Sequence, residues 1–390
     1  MLERQLTTRI LEDLTFFPAV AITGPRQVGK TTLAHTIESL LPKQCLFLDL
    51  ESDSDRQKLE DAEMFLKSNL DKCIIIDEIQ LKPELFSLLR HLIDVYRVPM
   101  RFILLGSASP ELIRKSSDSL AGRIAYHELT PFSLVEIKNS LENQQKHWFR
   151  GGFPDAYLAQ ADIMTQRWLS NFVQTFIERD LRALGYNLNS TTILSLLRML
   201  ARIHGGVLNA SDLSRSLDVS HPTINAYLDV LEGGFIIHRL CPYFVSVSKR
   251  LTKSPKIYIR DSGILHSLVR LNQFEQLQEN PLIGASWEGY VIEQIKRVAG
   301  NEWEYYFYRT HNGAKIDLLL IAPNGKMATI EIKYSTAPVV SRGFYESNED
   351  IKPHFKYIII PTGTSYLKNH SIKVISLYEF LTVELAVIAS

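Results

Sequence analysis

The chain has 390 residues, 45% of them hydrophobic, and its 43 Lys and Arg balance its 43 Asp and Glu. That length accommodates two or three domains with separate cores, and a balanced charge neither demands nor excludes a nucleic-acid partner. No run approaches the roughly eighteen apolar residues of a membrane span. The polar start Met1–Leu6 lacks a signal-peptide core, and Cys45, Cys73 and Cys241 make no metal spacing, so a cytoplasmic protein with no membrane partner is expected.

Residues 1–135 alternate strand and helix. Strands are predicted at 19–23, 45–50, 73–77, 101–105 and 125–129, with helices between them, among them 31–41 and 85–96. The expected fold is α/β, a P-loop three-layer parallel sheet. The first strand runs into Gly24-Pro25-Arg26-Gln27-Val28-Gly29-Lys30-Thr31-Thr32, which satisfies the G-x-x-x-x-G-K-[ST] pattern. Glycines at both ends of the loop let the backbone curl so that its N–H groups face phosphates. The helix N-terminus adds partial positive charge. Lys30 is expected to reach the β- and γ-phosphates of ATP, and the Thr31 hydroxyl to hold Mg²⁺.

The run Cys73-Ile74-Ile75-Ile76-Asp77-Glu78 is apolar and ends in two acids, as a buried parallel strand with chemistry at its carboxyl edge reads. Asp77 is assigned to the magnesium shell and Glu78 to the activation of water. Ser107 and Ser109 follow the strand 101–105, where a hydroxyl can help position that water. Arg123 precedes the last strand of the sheet. It is either an ordinary surface arginine or one that reaches in trans into the nucleotide site of a neighbouring copy in a homo-oligomer.

Residues 18–135 resemble the bacterial and archaeal AAA-type ATPases whose loop reads G-P-R-x-V-G-K-T-T. The resemblance extends through Leu48–Glu51, Ile76–Gln80, Gly106–Ser109, Leu129–Ser133 and Gly151-Gly152-Phe153-Pro154. It implies ATP and Mg²⁺ as ligands and a helical lid over residues 136–190, packed against the nucleotide domain. It also implies a C-terminal domain of unknown function similar to restriction-type nucleases.

Residues 191–260 read as a winged helix-turn-helix: a serine-capped helix 211–217, a turn at 218–220, and a second helix 221–232 with Ile224, Leu228 and Leu231 on one face. The segment 235–260 carries Arg239, Lys249, Arg250, Lys253, Lys256 and Arg260 with no acid, interleaved with aromatics. Residues 211–260 are therefore a possible DNA contact, or a protein-contact module.

From 261 onward a restriction-endonuclease-like α/β domain is expected, with a helix at 284–298 and strands at 304–309, 315–321, 327–334, 356–360 and 372–375. Asp317, Glu331 and Lys333 form a D-(x)n-E-x-K pattern. Residues two apart on a strand share a face, so Asp317 and Glu331 can hold a second metal with Lys333 beside them. Glu288 is a possible third acid. Two readings stay open: an ATP-controlled DNA-processing enzyme with this cluster as its cutter, or a non-cutting ATP-dependent switch or scaffold that grips a partner.

Overall fold

Five apolar runs become the strands β1 (Ala19–Thr23), β2 (Cys45–Asp49), β3 (Cys73–Asp77), β4 (Phe102–Gly106) and β5 (Ile124–Glu128). They are seen in a computed structural model that describes residues 2–107, 120, 122–183, 188–245, 251–310, 313–369 and 371–390. Ser109, Lys249 and Arg250 lie outside the described residues. The sheet order is β2-β3-β4-β1-β5, and every pairing is parallel. Alternation along each strand sends Ala19, Ala21, Ile74, Ile76 and Leu104 into one buried layer and Val20, Ile22, Ile75, Ile103 and Leu105 into the other. The sheet is thus buried on both faces, as its unbroken apolar runs require.

These strands belong to a unit made of Met1–Phe132, Glu178–Leu188 and Asp229–Ile236. A second unit comprises Ser133–Ile177, Asn189–Leu228 and Ile237–Ser390. Its sheet is mixed and eight-stranded. In chain order the strands are β6 (Ile237–Pro242), β7 (Lys256–Ile259), β8 (Glu304–Arg309), β9 (Lys315–Ile321), β10 (Met327–Ile332), β11 (Phe355–Ile360), β12 (Tyr366–Lys368) and β13 (Ile372–Ser376). Their spatial order is β12-β13-β11-β10-β9-β8-β6-β7.

Three features depart from the expectation. Of the lid expected over 136–190 against the nucleotide domain, residues 136–177 cluster with the second unit and 178–188 with the first. The reason is aromatic burial: Trp148 packs on Trp287, Tyr290 and Tyr334, and its indole N–H donates to Ser286 Oγ at 3.0 Å. The helix Ala210–Leu217 is capped by Asn209, whose side chain accepts from the Asp212 amide, and not by Ser211. The hairpin β6–β7 is no free wing, because β6 also pairs in parallel with β8 through Cys241↔Tyr306 and Pro242↔Phe307. Among the described residues no helix is long and apolar enough to cross a membrane.

The Gly-Gly-Phe-Pro run acquires a structural reason here. Gly151 has φ +77°, and a Cβ on it would lie 2.0 Å from Asp261 Oδ1. The Asp261 carboxylate accepts from the amides of Gly152 (2.9 Å) and Ile264 (3.2 Å), so it both caps a helix and clamps this turn. Gly151→Ala is expected to destabilise the second unit by about 1–3 kcal/mol, from positive φ and the displaced carboxylate together. The readout is a lowered thermal midpoint in tryptophan fluorescence; an unchanged midpoint would contradict the clamp.

Candidate nucleotide site

Because all five strands run the same way, the loops after β1, β3 and β4 leave the sheet on one edge. The loop after β1 begins at Gly24, with φ +150°, where a Cβ would sit 2.2 Å from the Leu129 carbonyl oxygen. Only glycine fits that approach. The turn ends at Gly29 (φ +94°), which opens the helix Lys30–Leu40. Arg4 braces the loop from behind, donating to the carbonyls of Val28 and Thr130.

Lys30 is buried, and its ammonium donates to the carbonyls of Gly24 (3.1 Å) and Pro25 (2.9 Å) inside the curl. Burial pulls its pKa down to about 8, against the opposing pull of Glu78 and Asp77. The Thr31 hydroxyl donates to Asp77 Oδ2 at 2.6 Å, and Asp77 Oδ1 accepts from the Glu78 amide at 2.8 Å. Burial raises the Asp77 pKa, while these hydrogen bonds work in the other direction. Glu78 itself adopts φ +53°, a left-handed conformation uncommon for a residue with a side chain. Its carboxylate accepts from Ser107 Oγ, 2.9 Å from each oxygen, and from the Gln80 amide.

Arg26 is the second cation of the loop. Its guanidinium donates to Asp180 at 2.6 Å and to Glu51, and lies 3.8 Å from Glu78. Burial alone would lower its pKa; Asp180, Glu78 and Glu51 outweigh that and raise it. Asp180 sits on a π-helical turn, Phe176–Asp180, a distortion found disproportionately at functional sites. Sequence reasoning missed Asp180, Glu51 and Gln80. Glu51 and Gln80 flank motifs that were visible, whereas nothing local to Asp180 marks it.

The donor set suits a magnesium–nucleotide complex: a cradle only glycine fits, a buried ammonium, and a hydroxyl beside a carboxylate. Arg123 lies at the surface of its unit. It pairs bidentately with Asp94 at 2.6 and 3.0 Å, in a partly exposed contact.

The acids of the second unit are arranged differently. Asp317 and Glu331 are buried, and Asp317 Oδ2 accepts from the Ile332 amide at 3.0 Å, tying β9 to the end of β10. Glu331 Oε2 accepts from the Ser341 amide at 3.3 Å. Lys333 Nζ stands 2.9 Å from Glu331 Oε1 but outside hydrogen-bonding geometry, so this oxygen accepts no hydrogen bond. Glu288 Oε1 accepts from Lys256 Nζ (2.7 Å) and the Tyr258 hydroxyl (2.6 Å). Among the described residues no three His, Cys, Asp or Glu side chains are grouped to hold a metal. Two members of the basic segment are paired inside the unit, while Lys253 is exposed. Lys256 is taken by Glu288 and Arg260 by Glu293 at 3.3 Å, so neither is presented to a phosphate backbone.

Comparison with known proteins agrees with this division. The chain matches an AAA domain over residues 17–138, a domain of unknown function (DUF8612) over 141–275 and another (DUF4143) over 283–380. It is 37% identical over 358 residues to the uncharacterized protein Rv2008c of Mycobacterium tuberculosis, spanning 92% of this chain and 80% of that protein. An uncharacterized protein of Haemophilus influenzae is 24% identical over 274 residues, 62% of this chain and 67% of that one. Among solved structures, the Walker-type ATPase PABY2304 of Pyrococcus abyssi aligns at TM-score 0.45 and 17% identity, covering 69% of this chain and 96% of that one. The N-terminal unit is therefore an AAA-type nucleotide-binding domain.

The lowered pKa of Lys30 has a measurable consequence. Phosphates beside it favour the charged form, so above about pH 8 binding must take up a proton and weaken as pH rises. Near neutrality the lysine is already charged, and affinity should be nearly independent of pH. Calorimetric titrations with ATP in buffers of different ionisation enthalpy test this; no proton uptake on the alkaline side would contradict it.

Proposed function

The chain belongs to the same AAA-domain family as the mycobacterial protein, and from that premise we propose that it is a magnesium-dependent ATPase acting as a non-cutting nucleotide switch. One observation supports this above the others: the Thr31 hydroxyl lies 2.6 Å from Asp77, with Glu78 next in sequence and held by Ser107. In this reading the backbone of Gly24, Pro25, Arg26, Gln27, Val28 and Gly29 cradles the phosphates, with Lys30 and Thr32 at the helix start. Lys30 sets its charge against the β- and γ-phosphates, and Thr31 with Asp77 holds the magnesium ion. The metal, when bound, neutralises charge on the transferring phosphoryl group. Glu78 orients the attacking water and takes its proton, and Ser107 and Gln80 fix the rotamer from which it does so.

Lys30→Ala should abolish tight ATP binding, because it removes the charge facing the phosphates. Glu78→Gln should keep binding and lose turnover by about a hundredfold or more, since only the proton acceptor is gone. Equilibrium binding and phosphate release, measured on both variants, separate the two roles. Equal loss of binding in both would sink the assignment.

The second unit is read as a scaffold and not as a cutter. In this reading a winged-helix element covers 191–260 and a nuclease-like element 261–390, with β6 and β7 of the former joining the sheet of the latter. The carboxylates that would hold a catalytic metal are held by donors of the chain itself: Asp317 by a strand amide, Glu331 by the Ser341 amide with Lys333 alongside, and Glu288 by Lys256 and Tyr258. Incubated with Mg²⁺ or Mn²⁺ and a panel of DNA and RNA substrates, the full chain should cleave no faster than its Glu331→Ala variant. Metal-dependent cleavage that disappears in Glu331→Ala would restore the DNA-processing reading.

A further inference from the structure

A cavity of about 720 Å³ opens in the second unit, remote in sequence from the phosphate loop. Arg198 and Arg202 line it from the helix Ser190–Arg202, one turn apart and so on the same face. Arg270 joins them from the turn after the helix Ser262–Leu268, in a left-handed conformation (φ +62°) that arginine seldom adopts. Among the described residues the lining includes no Asp or Glu. None of the three guanidiniums has an ion pair or hydrogen bond among the described residues.

The chain is charge-balanced, and elsewhere in the same unit Arg150, Arg260 and Lys256 each find a carboxylate. Three like charges facing one space without an acid repel each other, a cost that an anion in the space removes. One more donor lines the cavity: Asn280, just ahead of the seventeen-residue helix Ile283–Ala299, whose N-terminus favours negative charge. The buried His204 ring also borders it, with Nδ1 accepting from the Ile259 amide at 3.0 Å and Nε2 packed against Gly289. Leu268 and Leu282 supply an apolar wall.

We propose that this cavity is a second binding site, for an organic phosphate of nucleotide size, with Arg198, Arg202 and Arg270 taking the phosphate oxygens and the apolar wall taking the rest of the ligand. Guanidinium forks match phosphate geometry bidentately. The volume falls within the roughly 300–1,000 Å³ of small-ligand sites. The assignment is independent of the ATPase reading, because it uses no residue of the phosphate loop.

The test uses the full chain carrying Lys30→Ala, which silences the phosphate loop. Titration calorimetry with inorganic pyrophosphate, ADP and a short single-stranded oligonucleotide distinguishes a phosphate-only site, a nucleotide site and a nucleic-acid groove. ADP should bind more tightly than pyrophosphate. Adding Arg198→Ala with Arg202→Ala, or Arg270→Ala alone, should weaken ADP by about tenfold or more. Arg167→Ala, on an exposed helix elsewhere, should not. These positions are at the surface, and an unchanged melting curve excludes misfolding as the cause of a loss. Three outcomes overturn the proposal: no ADP binding in the Lys30→Ala chain, binding insensitive to all three arginines, or binding of the oligonucleotide alone.

Discussion

Parallel pairing of five strands is the constraint from which the nucleotide site follows. Antiparallel neighbours would send alternate loops to opposite edges; here every carboxyl end emerges on one edge. The order β2-β3-β4-β1-β5 places β4 between the strand that feeds the phosphate loop and the strand that ends in Asp77. Ser107, one residue beyond β4, is thereby brought within 2.9 Å of Glu78, one residue beyond β3. Neither contact depends on a long loop finding its place. The sheet register sets both, and the buried apolar layers on either face hold that register.

On that frame the charges are arranged asymmetrically. Lys30 and Arg26 share their surroundings with Glu51, Asp77, Glu78 and Asp180. An acid-rich ring repels the tetra-anionic end of a nucleotide unless a divalent cation comes with it. Lys30 meanwhile is desolvated and held by two backbone carbonyls, weaker partners than phosphate oxygens, so it exchanges them at little cost. Arg26 is bound more firmly. Its carboxylate partners come from the end of β2 and from the π-helical turn at Phe176–Asp180, so any anion that draws its guanidinium away also releases Asp180. The same side chain stands 3.8 Å from Glu78, which ties the position of that acid to the exchange.

The phosphate loop, the Asp77-Glu78 pair and the strand boundaries of the first sheet were legible in the sequence because each is a local pattern. A glycine turn, an apolar run or a pair of acids announces itself within ten residues. Arg26–Asp180 is a contact between residues 154 apart, and nothing in the run Phe176–Asp180 signals it. Part of the basic segment illustrates the same point. Composition counts charges but not their partners, and Lys256 and Arg260 are answered by Glu288 and Glu293 on the helix Ile283–Ala299. Likewise the helix Leu141–Arg150 was readable as a helix, but its allegiance to Trp287 and Tyr290 was not.

In the second unit the sheet itself brings two acids together. A β-sheet places Asp317 and Glu331 on neighbouring strands whether or not a metal is wanted there, because the D-(x)n-E-x-K spacing and the antiparallel pairing of β9 with β10 dictate it. What decides the use of those carboxylates is their compensation. A buried ionised carboxylate needs either a cation or several donors. Asp317 takes the Ile332 amide, which also ties the end of β10 to β9, so the acid has become part of the strand pairing. Glu331 takes the Ser341 amide at the start of the helix Arg342–Ile351, so it helps fix where the chain turns back toward β11. Each acid thus has one hydrogen-bond donor of the chain, and Glu331 Oε1 accepts none. Arg198, Arg202 and Arg270 differ: charges of one sign face a shared space, and among the described residues their guanidiniums have no ion pair or hydrogen bond.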